Sequence, residues 1–131
     1  MIEIASSTEP NGMLQKDIAK HQNISLKYLD PIISALKIKD LIANSKGKGS
    51  GYLLTKPVTE ITMYDIYTAF EQIEIIECIN NCSFCERSIH DCKAKNYWSE
   101  FKDEFCNILK KKNLAQIIDE TYYECNLSIN S

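Results

Sequence analysis

The sequence predicts a mostly α-helical fold with a small β-hairpin, and three observations lead to that prediction. Two short amphipathic segments, 13–21 and 25–37, are separated by only a few residues, which is typical of a helix-turn-helix. A glycine-rich stretch at 46–51 lies between two short apolar runs and predicts a hairpin. A longer helical period follows at 97–112. Together these features predict a winged helix-turn-helix with a long C-terminal helix.

Composition and charge narrow the class of protein. A length of 131 residues suits one domain, and no apolar run approaches the length of a membrane span. Because no secretory signal is visible, we expect a cytoplasmic protein. The net charge is −3, but residues 11–56 hold eight lysines against three aspartates, whereas residues 57–131 are acidic. This asymmetry favours one half that binds a polyanion, although short segments also vary in charge by chance.

The first helices are predicted from turn signals and spacing. Residues 1–6 are expected to be the last turns of a helix, and residues 7–12 a turn-rich loop. A helix from Met13 to His21 then turns at Gln22 and Asn23 into the second helix of the motif.

The helix that begins at Ser25 is the element around which the chain is organised. The Ser25 hydroxyl is expected to cap it, since it can accept hydrogen bonds from the first free N–H groups. The predicted buried face holds Leu29, Ile32, Ile33 and Leu36. The predicted polar face holds Lys27, Asp30, Ser34 and Lys37. Such a face suits the DNA major groove, although the solvated face of an ordinary amphipathic helix has the same pattern.

A β-hairpin with a basic tip is predicted after this helix. Residues 41–45 and 52–55 are strand-like, and the glycines between them permit a hairpin turn. Lys46 and Lys48 in the tip can contact phosphate or enter the minor groove. A nucleotide-binding loop is the alternative, but the Gly-Lys-Ser/Thr ending and the following helix of such a loop are missing. We therefore interpret the hairpin as a wing.

Two more helices are predicted beyond the wing. Thr62 opens the first with a capping-box pattern, and this helix is expected to reach about Glu71. The second runs from Tyr97 to about Lys112 and carries an aromatic seam at a/d spacing, made of Trp98, Phe101, Phe105 and Ile108. A chain this small has little core left to cover the seam. A homodimer through this helix is therefore favoured over packing against the chain's own winged domain.

A cysteine-bearing segment lies between these helices. Four of the six cysteines have the spacing Cys78-x3-Cys82-x2-Cys85-x6-Cys92, with His90 between the last two. A disulfide framework is disfavoured in a reducing cytoplasm, so the cluster suggests zinc or an iron–sulfur centre. The zinc signal is weak because only one close pair is present, and unligated cysteines on a loop are the simpler alternative. Neither histidine of the chain makes a recognisable nucleophile–base pattern, so no enzyme is predicted.

The order of these motifs resembles the Rrf-two family of winged helix-turn-helix transcriptional regulators. The matching stretches are Ile-Ser-Leu-Lys-Tyr-Leu-Asp at 24–30, Gly-Lys-Gly-Ser-Gly-Tyr-Leu-Leu at 47–54, Glu-Ile-Thr-Met-Tyr-Asp-Ile at 60–66, the cysteines, and Tyr-Trp-Ser-Glu-Phe at 97–101. The resemblance covers residues 1 to about 119. It implies a homodimeric regulator, expected to be a repressor, that binds double-stranded DNA.

The resemblance also implies roles for single residues on the recognition helix and wing. Lys27 and Asp30 match base-reading positions of the family, and Lys46 matches a wing position usually held by arginine. The full DNA-binding set that we expect is Ser25, Lys27, Tyr28, Asp30, Ser34, Lys37, Lys46 and Lys48.

In family members that bind a cluster, three cysteines are ligands, and they correspond to Cys78, Cys85 and Cys92. The histidine that some members use as fourth ligand corresponds to Lys95, so Cys82 or His90 is expected to substitute for it. The implied cofactor is an iron–sulfur cluster, of the two-iron rather than the four-iron type, that senses iron–sulfur, redox or nitric oxide status. Other members bind no cluster. The alternative is therefore a cluster-free regulator or interaction module that senses metabolism through a partner protein, such as an enzyme.

Two departures from the family pattern concern the helices. The opening helix of the family is longer, so we expect the first helix here to be truncated. Pro31 lies inside the recognition helix, where it removes a hydrogen bond to the Lys27 carbonyl and disfavours helical geometry at Asp30. This predicts a kink, or a helix that begins later than Ser25.

The predicted organisation has five parts. They are a winged helix-turn-helix domain at 1–58, a connecting helix at 59–76, a cysteine-bearing sensor loop at 77–96, a dimerisation helix at 97–119 and a tail at 120–131.

Overall fold

The computed structural model describes residues 1–47, 49–80 and 92–119. Over these ranges the chain is mostly helical with a two-stranded antiparallel sheet, which confirms the predicted fold class. The helices are α1 (Ile2–Ala5), α2 (Gln15–His21), α3 (Leu26–Ile38), α4 (Met63–Tyr67), α5 (Glu77–Asn80), α6 (Ala94–Lys111) and α7 (Leu114–Asp119), and the strands are β1 (Ile42–Asn44) and β2 (Tyr52–Leu54). No helix within the described ranges has the length and apolar character needed to cross a membrane.

Helices α2 and α3 form the predicted helix-turn-helix. Asn23 in the turn adopts a positive φ of 51°, a conformation that asparagine tolerates better than most residues. The Ile24 N–H then donates to the Ala19 carbonyl at 3.0 Å and closes the turn. Ser25 is the N-cap of α3, as predicted, and its Oγ accepts from the Tyr28 N–H at 3.1 Å.

Helix α3 continues through Pro31 without a break. Its 13 residues start directly after Ser25, so the later start, one of the two predicted outcomes, is wrong, and the kink stays a prediction. The proline removes one backbone hydrogen bond, but the cap at Ser25 and the buried face hold the turns on both sides of it. That face consists of Leu29, Ile33 and Leu36, each at most 5% exposed, with Ile32 packed against them.

The wing contains a third chain segment that the sequence did not predict. β1 and β2 pair with Ile42 opposite Leu54. Tyr52 of β2 also pairs with Met13. The Tyr52 N–H donates to the Met13 carbonyl at 2.8 Å, and the Met13 N–H donates to the Tyr52 carbonyl at 3.1 Å. Met13 therefore pairs with the wing, and α2 begins only at Gln15.

Two glycines permit this close approach. A Cβ at Gly51 would lie 2.4 Å from the Gly12 carbonyl carbon, and a Cβ at Gly12 would lie 2.7 Å from the Tyr52 carbonyl oxygen. Gly12 also has a φ of +75°, which side chains rarely allow. The chain before α2 and the wing are thus fixed against each other by backbone contact.

Polar contacts join α1 to α2. The Glu3 carboxylate contacts His21 Nδ1 at 3.1 Å and accepts from Gln22 Nε2 at 2.7 Å. The hydrogen bond with His21 is the main reason that the pKa of Glu3 lies below its ordinary value; burial opposes that shift and Gln22 adds to it.

The core extends from the winged unit (α1–α3, β1 and β2) to the start of α7. Five of its side chains are at most 2% exposed, namely Leu36, Leu41, Ile42, Ile61 and Leu114. The Leu114 N–H donates to the Ile61 carbonyl at 2.8 Å, and the Met63 N–H donates to the Lys112 carbonyl at 3.0 Å. The turn between α6 and α7 is therefore hydrogen-bonded to the residues at the start of α4.

Helix α4 has the predicted capping box. The Asp65 N–H donates to Thr62 Oγ1 at 3.2 Å, and the Thr62 N–H donates to Asp65 Oδ2 at 2.9 Å. Burial acts to raise the pKa of Asp65, but the hydrogen bonds from Thr62, helped by Lys56 and Lys39, outweigh it and lower the pKa.

Helix α4 ends at Tyr67, four residues before the predicted end. The Thr68 hydroxyl donates to the Tyr64 carbonyl at 2.8 Å, and the next N–H groups make tighter turns, as with Ala69 to Ile66 at 3.2 Å. Helix α5 adds a turn of helix to the segment that was expected to be a loop.

Candidate nucleic-acid interface

The polar face of α3 is open to solvent along its length. Lys27, Asp30, Ser34 and Lys37 are all exposed. Tyr28, in the first turn, is 63% exposed although its ring is largely apolar. Such a mixed face can contact phosphates through lysines, base edges through polar groups, and thymine methyl groups through the ring.

The wing carries a further exposed cation. Lys46 is exposed in the turn that follows β1, and the neighbouring Ser45 N–H is held by the Gly51 carbonyl at 2.9 Å. Lys48, the second lysine predicted to contact DNA from the wing tip, lies outside the described residues. The described part of the wing therefore offers one lysine on a hydrogen-bonded turn.

Two of the predicted contact residues bond to their own helix. Ser25 Oγ accepts from a backbone N–H as the N-cap, and Ser34 Oγ donates to the Asp30 carbonyl at 2.9 Å. A hydroxyl can make further hydrogen bonds, so neither contact excludes a bond to DNA. For these serines, a role in DNA binding stays a prediction.

Asp30 belongs to a hydrogen-bonded chain that joins three elements. Gln15 Nε2, in the first residue of α2, donates to Asp30 Oδ1. The Tyr52 hydroxyl, on β2, donates to Gln15 Oε1 at 3.0 Å. Lys37 Nζ lies 6.0 Å from the centre of the Tyr52 ring. The sequence analysis missed Gln15 and Tyr52 because no helical or strand period connects them to Asp30.

The cysteine-bearing segment is described only at its ends. Cys78 lies on α5, which contacts α6, and Cys92 is half-buried just before α6. The Cys92 carbonyl accepts from the Lys95 N–H at 3.1 Å, so Cys92 takes part in the first turn of that helix. Cys82, Cys85, His90 and the side chain of Cys78 lie outside the described residues. Within the described part, no group of three His, Cys, Asp or Glu residues could hold a metal ion.

Helix α6 carries the predicted aromatic seam, but the residues of the seam differ in whether they pack on their own chain or face solvent. None of the 18 residues of α6 is buried, and Phe101 and Ile108 are 46% and 58% exposed. Trp98 is half-buried, and its ring meets that of Phe101 edge-on with centres 6.0 Å apart. Phe105 meets Tyr67 of α4 edge-on, also at 6.0 Å. Phe105 thus packs on its own chain, whereas Phe101 and Ile108 face solvent.

These elements define the class of the protein. A helix-turn-helix with an exposed polar second helix, a basic hairpin beside it and a long following helix is the architecture of a winged helix-turn-helix DNA-binding protein.

Comparison with known proteins gives the family. The model of the Rrf2 (Rrf-two) family, described as "Iron-dependent Transcriptional regulator", matches residues 1–120. The chain therefore belongs to the Rrf2 family, as the sequence motifs predicted. It is 28% identical over 122 residues to the HTH-type transcriptional regulator IscR of Serratia proteamaculans (strain 568), a match that covers 91% of this chain and 72% of that protein.

Solved structures confirm the fold. IscR of T. potens superposes with a TM-score of 0.68 at 21% identity, covering 89% of this chain and 76% of that one. CymR, the global cysteine regulator of B. subtilis, superposes with a TM-score of 0.69 at 24% identity, covering 92% and 88%. The chain is a DNA-binding transcriptional regulator, and since these relatives are regulators, the expectation that it is not an enzyme is confirmed.

Proposed function

We propose that the chain is a homodimeric, sequence-specific repressor in the cytoplasm that reads double-stranded DNA with α3 and senses iron–sulfur, redox or nitric oxide status through a cysteine-ligated cluster. The observation that carries the DNA-reading part is the open polar face of α3, held on a closed core, with Tyr52 of the wing beside Lys37 of that face. A helix with that support can enter the major groove without rearranging.

Different residues of the face have different tasks. Lys27, Lys37 and Lys46 supply charge to phosphates, which gives affinity for any sequence. Asp30 and Tyr28 supply discrimination, because a carboxylate can accept from a cytosine amine and an apolar ring can contact a thymine methyl group. Ser25 and Ser34 keep α3 helical through their backbone contacts and can add bonds to DNA.

The exposed part of the aromatic seam supports the homodimer. Phe101 and Ile108 lie seven residues apart on α6, so they face the same side of the helix. With Trp98 they form an apolar strip that a second copy of α6 can cover in a two-fold arrangement. Such a dimer presents two copies of α3 to two half-sites, which in this class lie about one helical turn apart.

The chemistry of the cysteines supports the sensor. Thiolates are the ligands that iron–sulfur clusters use, and the matching family is described as iron-dependent. Three thiolates from Cys78, Cys85 and Cys92, with Cys82 or His90 as the fourth ligand, fit such a cluster. When bound, it supplies a redox-active centre at this position.

The position of Cys92 connects the sensor to the dimer. Cys92 lies directly before α6 and bonds to its first turn. A change in how Cys92 is held therefore acts on the helix that carries the seam. A difference of a few kcal/mol between two arrangements of α6 would suffice to change DNA occupancy.

The wing role is tested by the salt dependence of DNA binding. Lys46→Ala should weaken binding to every sequence and reduce the slope of log K against log salt by about 1. Lys111→Ala, which removes the same charge from the last turn of α6, is the matched control and should leave the slope unchanged. An unaltered slope in Lys46→Ala would contradict the proposed role of the wing.

The sensor is tested on anaerobically purified protein by its visible spectrum, with iron, sulfide and zinc measured on the same sample. Brown protein with equal iron and sulfide supports the cluster, and Cys92→Ser should lose both colour and iron. Cys106→Ser, on α6, is the matched control and should keep them. Colourless protein that also fails reconstitution would overturn the cluster and leave a regulator that senses through a partner protein. Zinc at about one per chain would assign the segment a structural role.

A further inference from the structure

We propose that Gln15 is a positioning residue for base recognition: it holds the Asp30 carboxylate in one orientation on α3, and Tyr52 of the wing holds Gln15. The inference rests on the proposed function, because it takes the polar face of α3 as the surface that reads DNA. It adds to that surface a residue from α2, which itself lies outside the helix that enters the groove.

The chemistry of the amide fixes the direction of the chain of hydrogen bonds. An ionised carboxylate only accepts, so the Gln15 NH2 group must face Asp30 and its oxygen must face the other way. The Tyr52 hydroxyl donates to that oxygen at 3.0 Å. Both ends of the Gln15 amide are therefore occupied, and the side chain cannot turn over without placing its oxygen against a carboxylate.

The arrangement leaves Asp30 able to bind a base. A carboxylate has about four acceptor sites, and Gln15 uses one of them on Oδ1. The base group that a carboxylate accepts from in the major groove is the N4 amine of cytosine. An exposed aspartate otherwise rotates freely, so a fixed orientation lowers the entropy cost of that contact.

Gln15 is also suited to this role because it is neutral. A lysine at position 15 would pair with Asp30 and cancel its charge, which would weaken its preference for a base donor. The amide orients the carboxylate and leaves its charge in place. Because Gln15 and Tyr52 are half-buried while Asp30 is exposed, the hydrogen-bonded chain runs from the packed side of the interface to its surface.

Tyr52 extends this coupling to the wing. It lies on β2, its hydroxyl contacts Gln15, and its ring faces the Lys37 ammonium of α3 at 6.0 Å. The orientation of Asp30 therefore depends on where the wing strand lies. We expect Tyr52→Phe to weaken discrimination at the same base as Gln15→Leu, but by less, since the bond to Asp30 remains.

The experiment is selection of binding sites from random-sequence duplex DNA, with sequencing of the bound pool. Wild type, Asp30→Ala, Gln15→Leu and the double variant are compared. The matched control is Gln22→Leu, because Gln22, the residue that caps the end of α2, also donates to a carboxylate, that of Glu3. Thermal unfolding shows whether each variant folds. If Gln15→Leu does not fold, Gln15→Glu replaces it, because glutamate keeps the shape of glutamine but repels Asp30 at neutral pH.

The expected result is specific to one base position. Asp30→Ala should abolish a cytosine preference, and Gln15→Leu should reduce the same preference by roughly three- to tenfold, with the salt slope unchanged. In the Asp30→Ala background, Gln15→Leu should have no further effect on the selected sequences, since a positioning residue acts only through the residue that it positions. Gln22→Leu should select the wild-type sequences.

Three results would overturn the inference, and they are distinguishable. If Asp30→Ala alters one base position and Gln15→Leu does not, Gln15 has no positioning role although the proposed function stands. If Gln15→Leu has the same effect with and without Asp30, it acts through folding. If the wild-type chain selects no sequence, or Asp30→Ala alters none, the reading role of Asp30 fails and the inference fails with it.

Discussion

The winged unit and α6 differ in how they use apolar side chains. In the winged unit, Leu29, Ile33 and Leu36 of α3 are at most 5% exposed and pack on side chains from the same chain. Along α6 no residue is buried, and Phe101 and Ile108 are about half exposed. One region completes its own core, whereas the other leaves an apolar strip uncovered. The winged unit can thus be stable in a single chain, whereas the apolar strip of α6 gains most from the proposed second copy.

The largest effect should come from the core of the winged unit. Leu36→Ala should lower the free energy of unfolding by about 2–5 kcal/mol, since it removes a buried side chain and leaves a cavity. Leu53→Ala, the same change at a 39% exposed position on β2, should cost far less. Urea denaturation measures both. Equal costs would mean that the core does not lie where α3 buries its face.

The next effect should appear in the association of chains. Phe101→Ala should raise the dimer dissociation constant by roughly thirtyfold or more, the size expected for an aromatic side chain central to an interface. It should leave unfolding of the winged unit unchanged. Tyr28→Ala is the control, because it removes an exposed ring from the reading face and should weaken DNA binding without affecting association. Sedimentation velocity measures the dimer dissociation constant of both variants. A dimer that is unaffected by Phe101→Ala would place the interface elsewhere.

A smaller effect is expected where the two regions join. Thr62→Ala removes the N-cap of α4 and should cost about 0.5–2 kcal/mol. Thr59→Ala, at an exposed position three residues earlier, is the matched control. Thermal unfolding of both variants gives the difference. A cap that contributes nothing would show that α4 is held only by its packing against α6.

The smallest effect is the pH dependence of the same cap. The pKa of Asp65 is lower in the folded chain than its ordinary value, so the folded state favours the ionised form. Its contribution to stability is present above the unfolded pKa, near about pH 4, and is lost as the pH falls through the folded pKa. Unfolding measured between neutral and acid pH should therefore depend less steeply on pH in Asp65→Asn. An identical profile would contradict the role of Thr62 in holding the carboxylate.

Local features of the sequence predicted the elements that carry the proposed function. The cap at Ser25, the buried face of α3 and the hairpin after it depend on residues a few positions apart, so spacing rules find them. The later start that Pro31 suggested for α3 is not observed, because the cap at Ser25 and the burial of that face outweigh the loss of one hydrogen bond.

Contacts between distant parts of the chain could not be predicted in this way. Met13 pairs with β2 because Gly12 and Gly51 allow two backbone segments to approach closely. The sequence around each glycine does not indicate which other segment it will contact. Gln15 reaches Asp30 because α2 crosses α3, a consequence of the tertiary fold. The division of the aromatic seam, with Phe105 on its own chain and Phe101 open, likewise depends on where α4 lies.

We propose that the winged unit reads DNA while α6 joins two copies of it. The most direct measurement is the number of chains on a duplex selected from random DNA, determined by sedimentation of the complex. We expect two chains on a site with two inverted half-sites about one helical turn apart, and a large loss of affinity when one half-site is scrambled. One chain bound with full affinity to a single half-site would contradict it.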